Sequence, residues 1–298
     1  MKRYVYVLST TGEDHQAEMA AISMHTLKMT NPDAEIVVVF DKQTERLASP
    51  GMTEICELAD RRVAVEAKYD GQVVRSRYIK VNLRSILEDS FVYLDTDTLI
   101  LNKLDGIWQA DTDMAVCRDF NISPRKYVYN DTLKSVYELM GWRFPPAGYY
   151  NGGVVFYNET SNALEFGRKL AGLWESQLLK TGKPNDQFAF NCLLDTNDYA
   201  FKVLSDKYNA QIVMSPLLAR GACVAHIYSD HFDDRDDTVL HVAAKTLKKE
   251  KYVNKDILRG MIDRSNPWHR LDTVKKCLSV GKYGKALTLA VSRMGGHA

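Results

Sequence analysis

The sequence predicts an α/β protein, built on a mostly parallel mixed sheet that is doubly wound, flanked by helices and followed by a helical C-terminal tail. Three observations carry this. Short runs of β-branched and aromatic residues alternate with longer stretches of helical period, the signature of strands joined by crossover helices. Several runs end on an aspartate, at Asp41, Asp95 and Asp119. With 298 residues and 45% hydrophobic content, the chain can cover both faces of such a sheet.

The elements follow in order. Residues 4–8 form an apolar strand, 9–15 a polar loop, 16–29 a helix, Asn31-Pro32-Asp33 a turn and 35–40 a buried strand, together one βαβ unit. A helical stretch at 75–88 feeds the strand Phe91-Val92-Tyr93-Leu94, and a further strand at 114–118 ends at Asp119. An apolar run at 152–157 is another strand, 158–179 reads as a helix and 186–194 as a short buried helix. There is no internal repeat. The first apolar run is too short for a signal-peptide core and soon meets Glu13-Asp14, and no stretch approaches the eighteen or so apolar residues of a spanning helix.

Charge divides the chain. The net charge of +1 hides an excess of 12 basic over 4 acidic residues at 246–298, against 27 basic and 34 acidic before it. This separates residues 1–245, the main α/β domain, from 246–298, a basic helical extension. In the extension Leu271, Val274 and Leu278 recur at helical spacing beside Lys275 and Lys276, and Leu287 and Val291 repeat the pattern. Such helices either pack on the acidic domain or lie on an anionic membrane leaflet. Five cysteines, odd in number and without a C-x-x-C spacing, give neither a disulfide framework nor a zinc knuckle and fit a reducing cytoplasm. No nucleic-acid partner is expected.

The strand at 91–94 delivers Asp95-Thr96-Asp97 to a carboxyl end, where open α/β sheets bind ligands. A turn is expected there, bringing both carboxylates to one ligand. Hard oxygen donors suit Mn²⁺ or Mg²⁺, which keep positions open for substrate phosphates. The loop Ser9-Thr10-Thr11-Gly12 is neither a dinucleotide fingerprint nor a P-loop, so the metal must carry the phosphate charge. Asp111-Thr112-Asp113 precedes a strand and reads as a solvated turn. The group His226, Asp230, His231, Asp233, Asp234, Asp236 and Asp237 could chelate a metal, but a flexible acidic loop is the favoured reading.

Taken in order, these motifs resemble the retaining, metal-dependent glycosyltransferases of the GT-A fold, closest to glycosyltransferase family 8. Tyr93-Leu94-Asp95-Thr96-Asp97 is similar to the family's Y-L-D-x-D, preceded by Tyr78-Ile79-Lys80 where the family carries a basic residue. Leu104-Asp105-Gly106-Ile107-Trp108 resembles D-x-L-F, and Ala115-Val116-Cys117-Arg118-Asp119 resembles the next strand. Tyr150-Asn151-Gly152-Gly153-Val154 resembles F-N-x-G-V, and Asn185-Asp186-Gln187 with Asn191 resembles D-Q-D-x-x-N. The terminal H-x-x-G-x-x-K-P-W is matched only at His241, with Ala244 and Leu247 at the glycine and lysine positions.

The resemblance implies a Rossmann-like GT-A domain that moves a hexose from a nucleotide diphosphate sugar, a UDP-hexose, to a glycan, lipid-linked or protein acceptor with retention. It implies Asp97 and His241 as metal ligands, with Asp95 on the metal or on the ribose. Lys80 and Lys245, the latter in competition with Lys248, would offset phosphate charge. Ser9, Thr10, Thr11 and Thr96 would contact the nucleotide, and Asp119, Asn151, Asp186 and Gln187 the transferred sugar. Rival readings are a sugar nucleotidyltransferase, for which the first loop lacks glycines and basic residues, a phosphatase, and a non-catalytic module binding nucleotide sugar or glycan.

Overall fold

A computed structural model describes residues 2–196, 198–228 and 238–295. The chain runs β1 (Lys2–Leu8), α1 (Gln16–Thr30), β2 (Ala34–Asp41), α2 (Lys42–Glu45), α3 (Pro50–Leu58), β3 (Arg61–Val65), α4 (Gln72–Ile86), β4 (Phe91–Leu94) and β5 (Thr98–Ile100). It continues with β6 (Met114–Arg118), α5 (Asp131–Met140), β7 (Tyr150–Tyr157), α6 (Ser161–Thr181), α7 (Asp186–Leu194), β8 (Phe201–Val203), β9 (Ala210–Gln211) and β10 (Val224–His226). Four helices close it: α8 (Val239–Glu250), α9 (Lys255–Asp263), α10 (Val274–Ser279) and α11 (Tyr283–Gly295).

Seven strands form one sheet in the order β3-β2-β1-β4-β7-β6-β8, and β5-β10-β9 form a second. All neighbours in the large sheet are parallel except that β7 runs against both β4 and β6. The mostly parallel sheet is therefore as expected, and the reversed β7 places its first residues at the carboxyl ends of its neighbours.

Alternation along β1 explains why the strands read as continuous apolar runs. Tyr4, Tyr6 and Leu8 enter one core with α1, α3 and α8, while Val5 and Val7 enter the other with α4, α6 and α7. Both faces are buried, so neither parity is polar. A third, smaller core gathers Leu133, Val136, Tyr137, Tyr149 and Phe188 beneath α5.

The division expected at residue 245 falls inside α8, and Leu247, Leu258, Met261 and Trp268 belong to the same core as α1. The early part of the basic extension is thus packed into the domain. α11 differs: Ala286 is buried, but Tyr283, Leu287 and Val291, spaced four residues apart, are 58%, 67% and 54% exposed. Among the described residues no helix is long and apolar enough to cross a membrane.

Candidate metal and nucleotide-sugar site

The turn after β4 forms as expected. Thr96 and Asp97 make it, and β5 begins at Thr98. β10 then pairs antiparallel with β5 and sets His226 opposite Thr98, next to Asp97; Ile227 N donates to Asp97 O at 2.9 Å. One ligand atom from each of Asp95, Asp97 and His226 lies within 4.8 Å of the others.

His226 replaces His241 in this set. The apolar run Cys223-Val224-Ala225 delivers His226 as the run at 91–94 delivers Asp95, a signal masked in the sequence by the acidic stretch behind it. His241 lies in the first turn of α8, fully buried, where its Nδ1 meets the N-cap Thr238 Oγ1 at 2.7 Å. It takes no part in the cluster. The acidic residues grouped with His226 in the sequence, Asp230 to Asp237, lie outside the described residues.

Hydrogen bonds fix the ring of His226. Its Nδ1 is 2.9 Å from Asn209 Oδ1, while Asn209 Nδ2 donates to Asn151 Oδ1 at 2.9 Å. With the Asn209 amide oriented by that second bond, Nδ1 is the donor and Nε2 carries the lone pair toward the carboxylates. Nε2 lies 3.1 Å from Asp97 Oδ1 and 3.7 Å from Asp95 Oδ2. His226 Nε2 and Asp97 Oδ1 are both buried, and neither has a well-formed hydrogen bond among the described residues. Two carboxylates and one oriented imidazole with unmet lone pairs fit a divalent cation.

Without a cation the charges of the cluster act on one another. Burial pushes the His226 imidazole down, but the negative charges of the nearby Asp97 and Asp95 outweigh it, and its pKa is raised. Burial pushes Asp97 up, yet His226 and Lys80 hold it below the usual carboxylate range.

Cations surround the cluster. Lys80 Nζ donates to Asp95 Oδ1 at 3.1 Å and lies 3.5 Å from Asp186 Oδ2, while Arg77 Nε lies 3.3 Å from Asp186 Oδ1. The charge of Asp186, against the cost of burial, raises the Arg77 pKa further. Tyr93 donates its hydroxyl to Asp95 Oδ1, and burial followed by the Asp95 charge drives its pKa up. Arg77 was not singled out in the sequence; it sits one turn before Lys80 on α4, and both reach Asp186.

The remaining expected residues gather around the start of β7. Gly153 O accepts from Asp95 N at 2.8 Å, and Gly152 N donates to Gln187 Oε1 at 3.2 Å. Asn151 Nδ2 donates to Asp119 Oδ1 at 2.9 Å, and Asp119 Oδ2 accepts from the Tyr127 hydroxyl at 2.7 Å. Asp119, Asn151, Asp186 and Gln187 are thus brought to one end of the sheet with Asp97. Asp119 and Asn151 are buried behind His226, whereas Asp186 and Gln187 open α7 beside Lys80. Asn191 clamps both backbone groups of Tyr150, at 2.6 and 2.9 Å, and holds β7 in place.

A cleft of about 170 Å³ opens beside the cluster, lined by Ser9, Gln16, Gln72, Arg77, Thr96 and both aspartates among others. Thr10 and Thr11 are drawn instead to Asp14, whose carboxylate also accepts from Gln72 Nε2 at 2.7 Å. Lys245 does not line the cleft. α8 packs on α1, bringing the Lys245 charge to His15, and Lys248 Nζ donates to the carbonyls of Gly12, Glu13 and Asp14. Lys248 braces the first loop from behind; among the described residues Arg77 and Lys80 are the cations that face the cluster.

No protein-family model matches this chain, and no curated protein matches it in sequence. Its structure does match solved glycosyltransferases. A galactosyltransferase, LgtC, in complex with donor and acceptor sugar analogs aligns with a TM-score of 0.54 and 14% identity over 76% of this chain and 87% of that one. GlyE of Streptococcus pneumoniae TIGR4 aligns with a TM-score of 0.55 and 16% identity over 90% of this chain and 64% of that one. At such identity the likeness is one of fold: the chain has the GT-A fold of these glycosyltransferases.

Proposed function

We propose that this chain is a glycosyltransferase that moves a hexose from a nucleotide diphosphate sugar, a UDP-sugar, to a glycan, lipid-linked or protein acceptor with retention, acting in the cytoplasm. The observation that carries this is the convergence of Asp95, Asp97 and the oriented His226 beside a cleft whose wall holds Arg77. Asp97 and His226 would hold a divalent cation, with Asp95 on the cation or on the ribose. The bound cation would neutralise the diphosphate as it leaves.

The chain's own residues do the rest. Ser9, Gln16 and Gln72 offer hydroxyl, amide and backbone groups to the nucleotide. Arg77 and Lys80, already aimed at Asp186, add positive charge on the diphosphate side. Asp186 and Gln187 meet hydroxyls of the transferred hexose, and a sugar of the wrong configuration leaves those buried groups unpaired. In the reaction the bond from the anomeric carbon to the β-phosphate oxygen breaks and its electron pair stays on the phosphate. The acceptor oxygen then bonds to the anomeric carbon and its proton passes to the departing phosphate, so retention needs no separate protein base.

Manganese-dependent hydrolysis of a nucleotide-sugar panel tests this. Turnover is expected with Mn²⁺ and none in excess chelator; full turnover in chelator, or none with any donor, would refute it. The pH dependence has a definite sign. Metal binding needs unprotonated Nε2 and the His226 pKa is raised, so Mn²⁺ affinity should climb as pH rises through and above the ordinary imidazole range. Without metal the sign reverses: the stability His226 contributes is present below its unfolded pKa and is lost as pH rises through the higher folded value.

For a lipid-linked acceptor, α11 supplies the contact, with exposed Tyr283, Leu287 and Val291 beside Lys282 and Lys285. Flotation with anionic liposomes should carry the chain upward at low salt and not after Leu287→Glu with Val291→Glu. Equal flotation of both proteins would refute the membrane role.

A further inference from the structure

At the same end of the sheet a row of aromatic rings leads to the metal-donor histidine. Tyr129 and Tyr127 are 4.8 Å apart, and Tyr127 stacks on Phe120 at 5.5 Å with 8° between the ring planes. Phe120 and Tyr228 follow at 6.5 Å, and Tyr228 meets His226 edge-on at 5.1 Å.

Phe120 is held there against its backbone preference. Its φ is 55° and that of Asn121 is 54°, the left-handed region that a bulky residue enters only when its surroundings impose it. Three hydrogen bonds do so: Phe120 N to Gln211 Oε1 at 2.8 Å, Asn121 Nδ2 to Asn209 O at 2.9 Å and Gln211 N to Asn121 Oδ1 at 2.7 Å. Asn209 also holds His226, so the ring and the metal donor are registered by one residue. The strain does not serve core packing, because Phe120 is only half-buried and belongs to none of the three apolar cores. Beside it the Tyr228 hydroxyl is buried and meets no hydrogen-bond partner among the described residues. That is an unmet donor of the kind a ligand hydroxyl satisfies.

Topology assigns the row a side. The nucleotide cleft is lined from β1 and β4, whereas Phe120 follows β6, with β7 between them. The aromatic row therefore stands across the metal donors from the nucleotide.

We propose that Phe120, Tyr127 and Tyr228 form a subsite for a pyranose ring of a glycan or glycoside, the acceptor. One face of a pyranose presents C–H bonds with slight positive charge, which suits the negative face of an aromatic ring, while its edge presents hydroxyls for Tyr228. The acceptor role rests on the glycosyl-transfer reading; the binding itself does not.

Saturation-transfer NMR on the full chain, with methyl hexopyranosides and simple disaccharides and no donor present, tests it. At least one glycoside should show transfer to its ring C–H protons. Its affinity should fall tenfold or more in Phe120→Ala and be restored in Phe120→Trp. If the alanine variant does not fold, Phe120→Leu, which keeps apolar volume without a ring, should show the same loss. No bound glycoside in the wild type, or equal binding in the variants, would overturn the subsite. A chain that binds glycosides through Phe120 but cleaves no nucleotide sugar would keep the subsite and remove the transfer. A chain that cleaves nucleotide sugars, with variants binding glycosides as well as wild type, would remove the subsite alone.

Discussion

Replacing Asp97 with asparagine is expected to lower manganese-dependent turnover of a nucleotide sugar by about 10²–10³-fold or more, the range seen when one preorganised electrostatic group is lost from a reaction centre. The substitution keeps volume and shape, so it acts on charge. Asp97 Oδ1 is buried 3.1 Å from His226 Nε2, and the amide offers that position a neutral oxygen or an N–H, neither a match for a carboxylate on a divalent ion. The metal-free fold should survive, because Asp97 sits in a turn and fills no core. Comparing turnover and Mn²⁺-induced thermal stabilisation of the two proteins checks this. An asparagine variant that keeps both would remove Asp97 from the metal set.

Gly153→Ala is expected to do comparable damage with the addition of one carbon atom. A Cβ built at Gly153 falls 2.8 Å from Asp95 Oδ2 and from His226 Nδ1, and closer still to His226 Cε1. None of these is the loose end of a flexible side chain. His226 is buried and pinned through Nδ1 to Asn209, and Asp95 is held by Tyr93 and Lys80. One of the donors must move, so Mn²⁺ binding should be lost along with about 1–3 kcal/mol of stability from overpacking. Gly152→Ala is the control, since a Cβ there meets Asp186 Oδ2 and Lys80 Nζ at an ordinary 3.5 Å. Thermal melts of both variants with and without Mn²⁺ separate the two. Equal behaviour would show that the close approach at Gly153 does not matter.

How much of this was legible in the sequence follows from where each signal lives. Strands buried on both faces write themselves as apolar runs, so β1, β2, β4, β6 and β7 were readable together with the carboxylates at their ends. Edge and short strands do not: β3 reads Arg61-Arg62-Val63-Ala64-Val65 and is mostly exposed, and β5, β9 and β10 are three residues or fewer. The histidine of the candidate metal cluster depends on that short sheet. Only the pairing of β10 with β5 brings His226 to Asp97, a contact across more than a hundred residues, whereas motif spacing pointed to His241, which lies outside the cluster. Arg77 escaped for a similar reason, because its role depends on Asp186 closing over α4 from α7. The basic character of the tail was plain in its composition, but the burial of Leu247, Leu258 and Trp268 against α1 is a matter of tertiary packing.

Mn²⁺ titration of the nucleotide-bound chain, followed by electron paramagnetic resonance, in the wild type, His226→Ala and His241→Ala, tests the metal site most directly. Wild type and His241→Ala should bind the ion with similar affinity, and His226→Ala should bind it at least tenfold more weakly. Loss of binding in His241→Ala with retention in His226→Ala would contradict the site built from Asp95, Asp97 and His226.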